Sequence, residues 1–248
     1  VKSLFLSLFL VAGLFSSSVL AAENSWTGFY IGANLGYADG DADAIASLGG
    51  QWSIQPQTLR DFIVSNSSKN QSPRGVGFGV QLGYDYQLAN KFVLGLEVDY
   101  TKLNMDESRQ TAPITYAFGL DYSFSNKVDV DHVFSLRPKL GYAFDNTMIY
   151  ATVGYAWTSA DFSSDLLSNV NYSKAGKKSK TLSSAIFGVG AEHKFFDNIS
   201  MKLEYLKING DDTSYTTVYR TSAFPGYIET FNVDLDYDVI RAGINYRF

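Results

Sequence analysis

The 248-residue chain has no cysteine, two histidines and five prolines. Without cysteine there is no disulfide framework, no thiolate nucleophile and no Cys/His zinc spacing. The missing disulfides leave the compartment open, because a closed sheet needs no covalent staples. Charged residues make up 18%, and no Walker pattern or glycine-rich phosphate loop occurs. The net charge of −5 argues against nucleic-acid binding. Beyond the first twenty residues, no stretch is apolar enough for a membrane-spanning helix.

What is abundant is phenylalanine (18), tyrosine (17) and glycine (21). The N-terminus differs from the rest: Lys2, an apolar run from Leu4 to Phe15, then Val19-Leu20-Ala21. This is the pattern of a secretory signal peptide, with cleavage expected after Ala21 and the alternative after Ala22. An N-terminal anchor is the competing interpretation, but the run is short of the ~20 apolar residues a spanning helix needs. Cleavage would remove one of 20 basic residues and none of 25 acidic ones, taking the charge to −6. The division is therefore 1–21 signal and 22–248 a single barrel domain.

The last eleven residues set the pattern. Ile240, Ala242, Ile244, Tyr246 and Phe248 fall on one face; Arg241, Gly243, Asn245 and Arg247 fall on the other. Side chains alternate along a strand, so this is a strand with one apolar and one polar face. Similar alternation predicts strands at 27–38, 75–87, 92–100, 132–144, 148–157, 183–195, 199–208 and 231–248. The links at 88–91, 145–147 and 196–198 are short. Those at 39–74, 101–131, 158–182 and 209–230 are long and polar. An even strand count with tight turns at one end and long loops at the other predicts an all-β, eight-stranded antiparallel transmembrane up-and-down barrel. Its four long loops are expected to be extracellular. The apolar face meets lipid, and outward aromatics near strand ends form two interfacial girdles. Pro138, in the fourth strand, lacks an N–H and predicts a missing ladder bond or a bulge.

Eight strands leave room inside only for side chains. The inward charges include Glu97, Asp99, Arg137, Lys139, Glu192, Lys202, Glu204 and Arg241. Heights counted from the short turns pair Asp99 with Arg137, Glu97 with Lys139 and Glu192 with Lys202. Arg241 is set beside Glu204 on the neighbouring strand. Buried charges must be paired, so a structural plug is expected, with a narrow charge-lined conductance path as the alternative.

Trp26-Thr27-Gly28-Phe29-Tyr30-Ile31-Gly32-Ala33-Asn34-Leu35-Gly36-Tyr37 resembles the first strand of small porin-like outer-membrane barrels, a family that includes outer-membrane immunogenic and hemin-binding proteins. Gly77–Tyr84, Leu140–Phe144, Tyr150–Ala156 and Gly243–Phe248 are similar to that family's later strands. The resemblance implies a monomer in the outer membrane of a Gram-negative bacterium, termini periplasmic, in contact with lipid and lipopolysaccharide. It also implies that Tyr246 and Phe248 are read by the assembly machinery. Members serve as surface antigens, and some bind hemin or host molecules through their loops; no loop motif carries across.

Catalysis has little local support. His132 and Ser135 fall on opposite faces, and His193 lies outward while Glu192 lies inward, so no His–Ser–carboxylate set forms within one strand. His132 is a candidate heme ligand, assisted by loop tyrosines. Asp39-Gly40-Asp41-Ala42-Asp43 starts like a calcium loop but lacks its following glycine and distal glutamate. Lys174–Lys180 is a basic patch that suits lipopolysaccharide or a host polyanion. The function expected is a non-enzymatic structural and surface-interaction barrel, with no cofactor. The alternatives are hemin capture or transport and, more distantly, a lipid-modifying enzyme.

Overall fold

The computed structural model describes residues 25–219 and 226–248; the expected signal peptide and its Ala21 site lie outside them. The elements run β1 (Gly28–Gly50), a 3-10 turn (Gln51–Ile54), α1 (Gln57–Ser67), β2 (Lys69–Gln71), β3 (Arg74–Gln87), β4 (Phe92–Gln110), β5 (Ile114–Ala117) and β6 (Leu120–Phe144). They continue with β7 (Thr147–Ser168), β8 (Ser173–Phe196), β9 (Ile199–Asn209), β10 (Thr213–Thr216), β11 (Val218–Tyr219) and β12 (Tyr227–Arg247). Eight strands form the ring β1-β3-β4-β6-β7-β8-β9-β12, every neighbour antiparallel. β12 returns to β1 and closes it, in register from Tyr30↔Arg247 to Gly50↔Tyr227. Closure gives every strand two partners, which hydrocarbon demands of a spanning sheet.

The strands are far longer than a membrane needs. β6 has 25 residues and β8 has 24, against ~9–11 for a tilted spanning strand. The four long links expected as loops are thus largely a continuation of the barrel wall. Near the short turns, apolar side chains point outward: Leu35 is 64% exposed and Leu203 61%. Farther up the same strands the polarity inverts. Ala38, Ala42, Leu103, Val130, Leu206 and Leu235 point inward as one buried apolar cluster, while Asp39, Asp41 and Asp43 stand outside. The period of two is unchanged; the medium outside changes from lipid to water, so each face takes the opposite chemistry.

A bulge adjusts β6 at that boundary. Its pairing with β7 steps from His132↔Ser159 to Val130↔Ala160, leaving Asp131 as the extra residue. The inward set consequently changes from Val133 and Ser135 to Val130 and Val128. Pro138 interrupts the β6–β7 ladder, whose pairs stop at Leu136↔Tyr155 and resume at Lys139↔Thr152. The register is the same on both sides of the break, so the prolyl disruption is a gap and not a bulge.

Candidate functional site

The lumen is filled in storeys. At the short-turn end lies Trp26, wholly buried. Its backbone N–H donates to Gln87 Oε1 at 2.8 Å, and its indole N–H to the Asp145 carbonyl at 3.2 Å. Lys194 Nζ sits 4.6 Å from its ring centroid, and Arg247 Nη1 donates to its carbonyl at 2.6 Å. The first storey is therefore a floor pinned by aromatic, cationic and backbone contacts together.

Above it is the charge network. Arg137 Nη2 donates to Glu97 Oε1 at 2.5 Å and Asp99 Oδ2 at 2.8 Å; its Nη1 reaches Glu204 Oε1 at 3.1 Å. Arg241 Nε donates to Glu204 Oε2 at 2.7 Å, and its Nη1 to Asp99 Oδ1 at 3.1 Å. Lys202 Nζ lies 2.8 Å from Glu97 Oε1. Two planar guanidiniums thus hold three carboxylates from β4 and β9, a use for which the fixed fork of arginine is suited. The expected pairs Asp99–Arg137 and Glu204–Arg241 are in contact. The expected Glu97–Lys139 and Glu192–Lys202 pairs are not: stagger sets Glu97 opposite Arg137 and Lys139 opposite Gly95, while Glu192 and Lys202 are register partners whose side chains turn to other groups. Lys139 Nζ instead donates to Asp85 Oδ2 at 3.1 Å and Tyr30 Oη at 3.2 Å. Glu192 Oε1 accepts from Ser200 Oγ at 2.5 Å and Asn245 Nδ2 at 3.0 Å.

Glycines make the room. A Cβ on Gly83 would stand 2.3 Å from the Tyr30 ring, and one on Gly190 2.5 Å from that of Tyr150. The two tyrosines lie across glycines and turn their hydroxyls to Glu97 and Glu204. Asp85, Tyr30 and Tyr150 belong to the network although sequence reasoning omitted them. Asp85 shares the inward face of its strand, which was the available signal.

The apolar cluster forms the next storey, and a second polar storey lies beyond it. There Glu229 is fully buried and faces Lys174 Nζ at 2.9 Å. Trp52 Nε1 donates to Glu229 Oε1 at 2.7 Å, and Thr217 Oγ1 to Glu229 Oε2 at 2.5 Å. Tyr172 also bonds Glu229. The mouth is capped by α1, which turns Leu59 and Ile63 onto Tyr122, Phe124, Leu166 and Trp52. Gly50, at φ 60°, supplies the left-handed turn by which β1 enters this cap.

His132 stands on the outer wall beside the β6 bulge and not over the mouth. Its Nδ1 is 3.1 Å from Asp131 Oδ2, and its ring lies 5.6 Å from Tyr100. Lys102 Nζ donates to Asp131 Oδ1 at 2.5 Å, and that bond holds the Asp131 carboxyl below its usual range. His193 is at the opposite end, 2.8 Å from Thr147 Oγ1. Tyr172 and Tyr227 at the mouth meet Trp52 edge-on. Asp39, Asp41 and Asp43 are not in a loop but on β1, directly opposite Asp238, Asp236 and Asp234. Among the described residues, no group of three or more His, Cys, Asp or Glu is placed to hold a metal ion. Lys174 of the basic patch is buried, while Lys177 and Lys178 are exposed on β8. Tyr246 and Phe248 face outward, their rings edge-on at 5.2 Å.

The model of the family described as outer membrane protein beta-barrel domain matches residues 7–248. The 31 kDa outer-membrane immunogenic protein of Brucella melitensis is 28% identical over 255 residues, covering 96% of this chain and 97% of its own. Among solved structures, the outer membrane protein OprG of Pseudomonas aeruginosa superposes with a TM-score of 0.51 at 15% identity, over 92% of this chain and 99% of that one. The outer membrane protease OmpT of Escherichia coli does so with 0.51 at 8%, over 89% and 97%. These two likenesses are of fold alone.

Proposed function

Because the chain belongs to the outer membrane protein beta-barrel domain family and is an integral β-barrel of the Gram-negative outer membrane, we propose that it acts as a closed, non-enzymatic surface protein. In this reading the spanning half anchors the molecule among outer-membrane lipid and lipopolysaccharide. The projecting half offers a rigid wall and crown for structural and adhesive contacts, the role of a surface antigen. One observation carries the proposal: the lumen is occupied at every level, by Trp26, then the Arg137–Arg241 network, then Leu235 and its neighbours, then the Trp52–Glu229 cap. Among the described residues, side chains are pinned by several partners at each storey, and the cavity between Asp99, Arg241 and Leu103 is only about 20 Å³, which supports a closed lumen.

Heme capture at the mouth would require an axial ligand there. His132 and His193 both stand on the outer wall at opposite heights, and the mouth tyrosines are engaged, Tyr172 with Glu229 and Tyr227 with Gln55, which favours the closed reading. Bilayer recording of refolded protein, with a hemin titration alongside, tests it. A flat current trace and an unmoved Soret band are expected. Stepwise conductance would overturn the closed lumen, and a Soret shift lost in His132→Ala would replace it with heme capture.

A further inference from the structure

Where the β6–β7 ladder is interrupted, the outer wall is hollow. Pro138 has no N–H to contribute, and Thr152 Oγ1 donates to its carbonyl at 2.9 Å. One step along β7, opposite Leu140, the outward side chain is the small one of Ala151. Here the lipid-facing wall carries a groove of about 760 Å³, floored by Pro138 and Ala151 and walled by Val153, Phe187 and Tyr205. Its size is within the ~300–1,000 Å³ of ordinary ligand sites.

Its position restricts the occupant. The groove lies between the two aromatic girdles, in the band where only hydrocarbon has access. Its upper end reaches Tyr205 and then Lys207, two residues nearer the projecting half. That end is at the headgroup height of the outer leaflet. Lys207 is half exposed, and its ammonium lies 3.7 Å from Asp238 Oδ1. An exposed pair at that separation is weak, and an ammonium retains donors for a second anion. An apolar trough ending in a cation matches an acyl chain that hangs from a phosphorylated headgroup.

We propose that this groove is a specific lipid site, taking one acyl chain of lipid A with a lipid A phosphate on Lys207. In this site the chain is flanked by Phe187 and Tyr205 and held at its charged end. Ala151→Phe fills the floor with a side chain the lipid face tolerates, and Lys207→Gln removes the cation. The test is native mass spectrometry of full-length protein extracted from outer membranes in mild detergent. The wild type should retain one lipid A, and Ala151→Phe should retain it ~10-fold less or lower still. Lys207→Gln should shift the retained lipid away from phosphorylated species. Heat-modifiable electrophoretic mobility verifies folding, and Val153→Phe fills the same groove if Ala151→Phe does not fold. Equal lipid A retention by wild type and a folded groove-filled variant would overturn the site. So would retention of glycerophospholipid in place of lipid A.

Discussion

Ile240 and Asp238 lie two residues apart on the same outward face of β12, and the outer edge of the apolar band falls between them. Ile240 is 60% exposed and sits beside Tyr37 of β1. Asp238 accepts from Tyr205 Oη at 2.8 Å. Inside the wall the same step runs from Arg241, in the charge network, to Val239, in the apolar cluster. One strand therefore carries two opposite amphipathic patterns without a change of period.

The inversion makes equal substitutions unequal. Leu203→Arg, on the lipid face, should cost ~2–4 kcal/mol of folding free energy in bilayers. Leu235→Arg should destabilise the projecting half by more than ~4 kcal/mol, because it places an unpaired charge in a dry core. Asp41→Ala, on the wet outer face, should stay within ~0.5 kcal/mol. Urea titrations in lipid vesicles, followed by tryptophan fluorescence, measure all three; similar costs for Asp41→Ala and Leu235→Arg would contradict the inverted pattern.

Arg137 ion-pairs with Glu97, Asp99 and Glu204 at once. Its replacement by methionine leaves Glu97, Asp99 and Glu204 to share Arg241 and Lys202. Breaking a buried ion pair from one side costs ~3–5 kcal/mol. Arg137→Met should lower stability in detergent by that amount, while Arg137→Lys, which keeps charge but not the fork, should fall between. An unchanged urea midpoint for Arg137→Met would show that the network contributes nothing net.

The spanning half was legible because alternation of Phe, Leu, Val and Tyr with Gly and charge has no other ready explanation. The projecting half was not, for two physical reasons. Asp39-Gly40-Asp41-Ala42-Asp43-Ala44 keeps a strict period of two, but Asp, Gly and Ala are poor strand formers, so the stretch resembles a loop until its pairing with β12 is seen. Pairing partners in the lumen depend on stagger, which no single strand encodes; counting heights therefore matches Lys139 to Glu97, where the closed barrel gives it Asp85. Glu229 and Trp52 were unreadable as partners, being 177 residues apart in sequence.

Alkaline pH should loosen the packing around Tyr215. Burial pushes the Tyr215 phenol up to about 12, from 10.0 for a free side chain. Its hydroxyl is 2.6 Å from Ser164 Oγ, and its ring stacks on Phe231 with centroids 5.5 Å apart. A raised folded pKa means the stabilisation is complete below pH ~10 and is lost as pH climbs toward ~12, since the unfolded phenol ionises first. Tyr215→Phe should flatten that decline. Thermal melts across this range, followed by near-ultraviolet circular dichroism, check the window; an identical slope in the variant would assign the decline to other groups.

The cap depends on one carboxylate. Glu229 draws together Trp52 from the 3-10 turn, Lys174 from β8, Thr217 from the segment before β11 and Tyr172 from the β7–β8 turn. Glu229→Ala removes the acceptor for the buried indole N–H of Trp52 and the carboxylate facing Lys174. The loss, ~3–5 kcal/mol, should be spent locally, because the charge network beneath the apolar cluster shares no side chain with the cap. Hydrogen exchange at 51–67 should accelerate while that at 92–100 and 134–142 stays protected. Trypsin should then cut after Arg60, in α1, before any site in the spanning half. The variant's bilayer trace should remain flat, since Arg137 and Arg241 still fill the spanning lumen. Uniform acceleration over the whole barrel would mean that cap and spanning half fold as one unit, and that the storeys are not energetically separate.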